Sequence, residues 1–244
     1  MESGKGISRR EFLKVTGVYL AGKLIPKELV ESDKLYRPET IYGNEKELKG
    51  RVFITIDDCA MAKYTLQMVD ILASVNAKAT FFPNSDRLMG QYMLWRRIYH
   101  FGHDIGYHTT NHTLGLTVNQ LIEDRKKFEV VIRELTGNPN YSVVYVRPPY
   151  GDWDKNWTTW AKANSLTTIR WNYAPGSKHN LDYFRTQFKS INGGGIILIH
   201  PRPWDTQWLE DNIKQLKRMA VDHGHGLETF SMVYIKGYEQ SRNS

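Results

Sequence analysis

A parallel α/β fold is what this 244-residue sequence predicts, on two observations. From residue 51 onward short β-rich runs alternate with runs of helical period, the signature of βαβ units. The side chains able to do chemistry fall directly after the β-rich runs. In parallel α/β barrels the C-terminal strand ends share one rim, and residues there read as catalytic. Hydrophobic content of 41% and aromatic content of 12% suit a folded globule, and the length suits one catalytic-size domain.

Taken in order, "RVFITI" (51–56) is a strand by its β-branched and aromatic content. Met61, Tyr64, Met68, Leu72 and Val75 recur at spacings of three and four, which predicts an amphipathic helix. "KATFFP" (78–83) is the next strand, and a helix near 90–100 leads to "HDIGYH". Thr117 and Gln120 form a capping-box pattern that opens a long helix ending near Gly137. "YSVVYV" (141–146) is a strand, "DKNWTTWAKAN" a helix, "LTTIRW" and "GGIILI" (194–199) strands, and 205–221 a periodic helix. The last apolar run, "ETFSMVYI", fits helix or strand equally.

Residues 8–14, "SRREFLK", ahead of the apolar "VTGVYLAG", match the twin-arginine export signal, an address read by the export machinery. The expected organisation is therefore a signal-like segment over 1–27, a linker over 28–49 and a catalytic domain over 50–244. The expected location is the periplasm, the cell envelope or the extracellular space. Lys23 interrupts the apolar stretch and no A-x-A cleavage site follows, so an uncleaved tether is the alternative. Of the net charge of +7, residues 1–27 carry six Lys or Arg against two Glu, which leaves +3 for the rest. No basic stripe with interleaved aromatics stands there, which argues against a nucleic-acid partner. No apolar run reaches the ~18 residues of a membrane span. The single cysteine, Cys59, excludes an intrachain disulfide framework and reads as a small buried hydrophobe.

Asp57-Asp58 follow the first strand, His108 and His112 the third, Arg147 the 141–146 strand and His200 the strand "IILI". At i and i+4 the two histidines share one face if the segment is a helical turn, a spacing that suits two ligands on one ion. Singly each group has a structural reading: an Asp pair as a cap, Arg147 in an ion pair, His200 as a core histidine. Together they bring carboxylates, imidazoles and a guanidinium to one rim.

The stretches "TIDD", "GHDIGYHTTNH", "RPPYG" (147–151) and "LIH" (198–200), in that order, resemble the motifs of the polysaccharide deacetylases of carbohydrate esterase family 4. The resemblance covers residue 51 to about 232. It implies a distorted (β/α) barrel, TIM-like with fewer than eight regular strands. It also implies a metal-dependent hydrolase that removes acetyl groups, N-acetyl foremost, from an envelope or extracellular polysaccharide. Asp58, His108 and His112 become ligands to one divalent metal, with Zn foremost and Co or another first-row ion as alternatives. Asp57 becomes the general base, held by Arg147. The Tyr150 N–H stabilises the oxyanion, and His200 is the acid for the leaving group. Leu198, Pro149 and Trp171 fall on the substrate side, with an acetylated glycan as partner. An amidohydrolase of small non-sugar amides, or a glycan-binding module that kept the metal and lost turnover, are the alternatives.

Two departures stand out. The family's fourth motif supplies a carboxylate beside the acid histidine, whereas "RWNYAPGSKH" (170–179) contains none. His200 is therefore expected to lack a carboxylate neighbour, unless Asp182 reaches it or Asn172 stands in. Cys59 occupies a position where the family usually has glycine.

Overall fold

The computed structural model describes residues 18–20, 23–25, 37–175 and 194–235. The "SRREFLK" stretch, Ser177, Asp182 and Tyr183 lie outside the described residues. Ahead of the domain, strands β1 (Val18–Leu20) and β2 (Lys23–Ile25) pair antiparallel.

The domain runs β3 (Thr40–Ile41), β4 (Val52–Asp58), α1 (Ala62–Ser74), β5 (Thr80–Pro83), α2 (Tyr92–His100) and β6 (Asp104–Ile105). It continues α3 (Val118–Thr136), β7 (Tyr145–Val146), α4 (Lys155–Ala163), β8 (Thr167–Ile169), β9 (Gly195–Ile199), α5 (Pro203–Val221) and α6 (Phe230–Tyr234). All pairings within it are parallel, in two sheets ordered β6-β5-β4-β9 and β3-β8-β7. Single parallel bridges, Tyr107 to Val146 and Tyr173 to Ile197, join the sheets at both edges. The strands β4 to β9 thus follow one another around a distorted ring, with α1 packed on α5 and α2 on α3 outside it.

Alternation along β4 sorts its side chains between two cores. Val52, Ile54 and Ile56 join the layer under the helices, with Met68, Leu72, Ile197 and Leu209. Phe53 joins a second cluster with Phe82, Tyr145, Ile169, Ile196 and Phe230. The Phe53 and Phe230 rings stack at 4.6 Å, so α6 closes the ring near the start of β4, away from the strand ends that carry Asp57 and His200.

The ambiguous last run is helix α6, started by Thr229 Oγ1 accepting from Met232 N. The capping box at Thr117 and Gln120 forms, and α3 ends at Gly137 in a left-handed turn, φ 73°. Two expectations shift. Of 141–146 only Tyr145–Val146 is strand, because Tyr141 N–H turns back onto Asn138 and Val143 N–H bonds the Glu129 carboxylate. Residues 37–49 are more than a linker: Thr40–Ile41 pairs with β8, and Ile41 and Leu48 are buried.

Candidate metal and catalytic site

Every chemistry-bearing side chain predicted at the rim leaves the C-terminal end of a strand. Asp57 and Asp58 end β4, His108 follows β6, Arg147 follows β7 and His200 follows β9.

His108 and His112 do not meet on a helical turn. Residues 108–112 form a loop in which Thr109 and His112 are left-handed, both at φ 62°. Asp124 of α3 pins that loop by accepting from Thr110 N at 2.8 Å and Tyr107 Oη at 2.6 Å. Asn84 Nδ2 donates to the His108 carbonyl at 2.9 Å. Asp58 Oδ1 then lies 3.6 Å from His108 Nε2 and 3.4 Å from His112 Nε2.

Three observations fit these residues to a metal ion. The three ligating atoms lie within 4.8 Å of one another. Ligands about 2.1 Å from a tetrahedral ion sit about 3.4 Å apart, close to the separations of Asp58 Oδ1 from the two imidazole Nε2 atoms. Asp58 Oδ1 is buried with no hydrogen-bond partner among the described residues, a deficit that a cation relieves. His108 Nδ1 lies 2.8 Å from the Arg147 carbonyl, which can only accept, so Nδ1 carries the proton and Nε2 is left as the donor atom for a metal.

The electrostatics agree. Burial opposes ionisation of Asp58, but the approach of His108, with His200 and His112, outweighs it and holds the carboxyl down at about 2, from an ordinary 3.8. Burial, and after it the neighbouring His108, pushes His112 below its ordinary 6.5. His112 is therefore neutral and able to ligate at pH 7.

Asp57 is buried beside this triad, its Oδ2 3.8 Å from His108 Nε2. Arg147, wholly buried, donates from Nη1 to Asp57 Oδ1 at 2.7 Å and to Thr55 Oγ1 at 2.8 Å. Its Nε and Nη2 donate to the carbonyls of Ile169 and Arg170, both at 3.1 Å. Tyr150 is left-handed at φ 56°, and its N–H has no hydrogen-bond partner among the described residues. Its ring lies 4.4 Å from that of His112. Leu198 is nearly buried, on the same strand as His200 and two residues ahead of it. Pro149 is buried. Trp171 is partly covered, with the Arg147 and Arg170 guanidinium groups each 5.4 Å from its ring.

Sequence reasoning missed a carboxylate for His200. Asp205, in the first turn of α5, accepts from His200 N at 2.9 Å, and its Oδ2 lies 3.7 Å from His200 Nδ1. Asn172 does not stand in: its side chain donates to Gly194 O and accepts from Ile196 N, tying β9 at its start. An acid five residues beyond His200, at a helix start, was the available signal for Asp205. Arg202 was also unanticipated, with Nη2 3.6 Å from Asp58 Oδ2. Cys59 is buried at φ 56°, and burial, with Asp57 and Asp58 beside it, pushes its thiol well above the ordinary range, which leaves it inert at neutral pH.

The model of the family described as "Polysaccharide deacetylase" matches residues 44–169. A peptidoglycan-N-acetylglucosamine deacetylase of Bacillus cereus is 31% identical over 64% of this chain, which spans 57% of that protein's length. A peptidoglycan-N-acetylmuramic acid deacetylase of Bacillus subtilis is 26% identical over 82% of this chain and 76% of its own length. In fold, the chain is similar to a crystal structure of a CE4 family pseudoenzyme from Bacillus anthracis: TM-score 0.66, 22% identity, covering 82% of this chain and 70% of that one.

Two outcomes follow from this geometry. Protonation of His112, not of Asp58 at about 2, should govern acid release of the metal. Because the His112 shift is downward, metal content is expected to hold at pH 7 and fall as pH drops below 6.5. Metal content at pH 7 that is unchanged in His112→Ala contradicts the ligand set. Asp205→Asn should bind metal at wild-type stoichiometry yet lower kcat by as much as ~10²-fold, the cost of misplacing a catalytic group. An unchanged kcat shows that His200 needs no such partner.

Proposed function

The chain belongs to the polysaccharide deacetylase family, and from that premise we propose that it is a metal-dependent hydrolase. It removes acetyl groups, N-acetyl foremost, from a polysaccharide of the cell envelope or extracellular space. The observation that carries this reading is Asp57, buried between the Arg147 guanidinium and the Asp58–His108–His112 triad. A base held that close to a metal triad is placed to take a proton from an attacking water.

Asp58, His108 and His112 would hold a divalent ion, with Zn the reading one carboxylate and two imidazoles favour, and the chemistry it would supply is Lewis-acid polarisation of the acetyl carbonyl and a more acidic water near neutral pH. Asp57 accepts the proton of the attacking water, and Arg147 fixes the orientation of that carboxylate. The Tyr150 N–H donates to the oxygen on which negative charge develops, a role worth about 2.7–4 kcal/mol where such donors have been removed. His200, with Nε2 4.0 Å from Asp58 Oδ2, faces the triad and protonates the departing amine, while Asp205 holds its main chain and places a carboxylate 3.7 Å from its Nδ1. Leu198, Pro149 and Trp171 contribute the substrate side of the pocket.

The Asp205 carboxylate beside His200 supports turnover over a binding-only module. Metal-reconstituted protein is expected to release acetate from N-acetylated glycans and not from small non-sugar amides. Asp57→Ala should retain the metal while losing at least about 10²-fold in rate, the usual share of a general base. Loss of metal together with activity in that variant makes Asp57 a ligand instead.

The location follows the same reading. No helix among the described residues is long and apolar enough to cross a membrane. The twin-arginine pattern of residues 8–14 supports export, with 1–27 as the signal segment and 50–244 as the core of the catalytic domain. Replacing Arg9 and Arg10 together with Lys is expected to hold the protein in the cytoplasm, read by fractionation. Unchanged export assigns the tail another purpose.

A further inference from the structure

Arg202 stands at the mouth of the site with no part in the chemistry above. Its side chain is 43% exposed, and Nη2 lies 3.6 Å from Asp58 Oδ2, longer than a hydrogen bond. The other cations and acids nearby among the described residues are spent. Arg147 is buried on Asp57, Thr55 and two carbonyls. Arg170 donates to the Gly151 carbonyl and lies over Trp153. Asp205 is buried beneath His200 and accepts from its main chain. His112 is turned onto Asp58, its Nε2 3.4 Å from Oδ1.

The backbone presents Arg202 firmly. Pro201 and Pro203 flank it, and a residue ahead of proline is kept extended, as its φ −125° and ψ 157° record. Its N–H donates to the His200 carbonyl at 2.7 Å, which ties it to the acid residue. Trp204, in the first turn of α5, and Tyr150, in the turn at 149–151, are both exposed, and aromatic rings of this kind suit the face of a sugar.

We infer that Arg202 is a specificity-determining residue that selects N-acetylated sugars bearing a carboxylate close to the acetamido group, as N-acetylmuramic acid does. The inference rests on the deacetylase reading. An acetyl group placed at the triad brings the neighbouring ring carbon within a few ångströms of Asp58. A carboxylate carried there meets a planar guanidinium whose donors make no hydrogen bond among the described residues, a pairing that forms two parallel charge-assisted hydrogen bonds. A neutral sugar leaves those donors to water.

The test compares peptide-free glycan strands with a free muramic carboxylate against the same strands with it converted to the methyl ester. Metal-loaded protein is assayed for acetate release and, separately, for binding by calorimetry. The acid should be favoured by about 10-fold to 100-fold in kcat/KM, the range of a hydrogen bond to a charged group. In Arg202→Gln the ratio should fall toward one, through KM for the acidic substrate, and Arg202→Lys should restore part of it. Equal handling of both substrates by the native protein overturns the inference. So does an Arg202→Gln variant that slows both by the same factor, which makes Arg202 a support for Asp58. If neither strand yields acetate but calorimetry keeps the acid preference and its loss in Arg202→Gln, Arg202 is upheld and the deacetylase reading fails. Loss of the calorimetric preference in the native protein overturns Arg202 whatever the turnover.

Discussion

Arg147 has no exposed surface, and a buried guanidinium left short of partners costs several kcal/mol, so the barrel around it is built to satisfy it. Its donors take Thr55 and Asp57 on β4 and two carbonyls at the end of β8. Its main chain bonds the Tyr107 carbonyl on one side and accepts from His108 Nδ1 on the other. Phe82 lies against the guanidinium at 4.4 Å, an apolar face that still favours a cation. Burial pulls the Arg147 pKa below its ordinary value while Asp57 pushes back, and the side chain stays charged. One residue thus orients the Asp57 carboxylate, sets the tautomer of His108 and ties three strand ends together.

The loops around it hold backbone strain. Asp58, Cys59, Thr109, His112 and Tyr150 all take left-handed conformations without being glycine, each at a cost of about 1–3 kcal/mol. Such conformations persist where the surroundings over-determine them. Cys59 N bonds Asp57 O at 2.8 Å, Asn84 N bonds Asp58 O at 3.0 Å, and Thr113 N bonds Thr109 Oγ1 at 3.1 Å. The turns they enforce aim Asp58, His108 and His112 at a common point. The same geometry gives Cys59 a physical meaning: its left-handed φ is one that glycine adopts freely, so this chain accepts strain there in exchange for a buried side chain.

How far the sequence could be read divides along a physical line. Strand ends were legible, because β-rich runs such as "RVFITI" and "GGIILI" stop at polar residues, and a parallel sheet brings those stops to one rim. The site residues that share the rim, from Asp57 to His200, were legible for that reason. Residues that act across helix starts and loops were not. Asp205 sits in the first turn of α5, where an acid reads as an ordinary helix-start charge. The left-handed loop that joins His108 to His112 carries no glycine to announce it, so the pair read as a helical turn. Strand β3 has two residues among turn formers, too few for a period to register. His200 consequently looked unpartnered in the sequence, although the helix that follows it carries the carboxylate.

If Arg147 acts on the reaction through Asp57, their effects on rate cannot be independent. A double-mutant cycle on kcat in metal-reconstituted protein, with Asp57→Asn, Arg147→Met and both together, measures this directly. The double variant should be no slower than Asp57→Asn alone, because the guanidinium has nothing left to orient. Losses that add across the two positions would show that Arg147 serves the chemistry by another route.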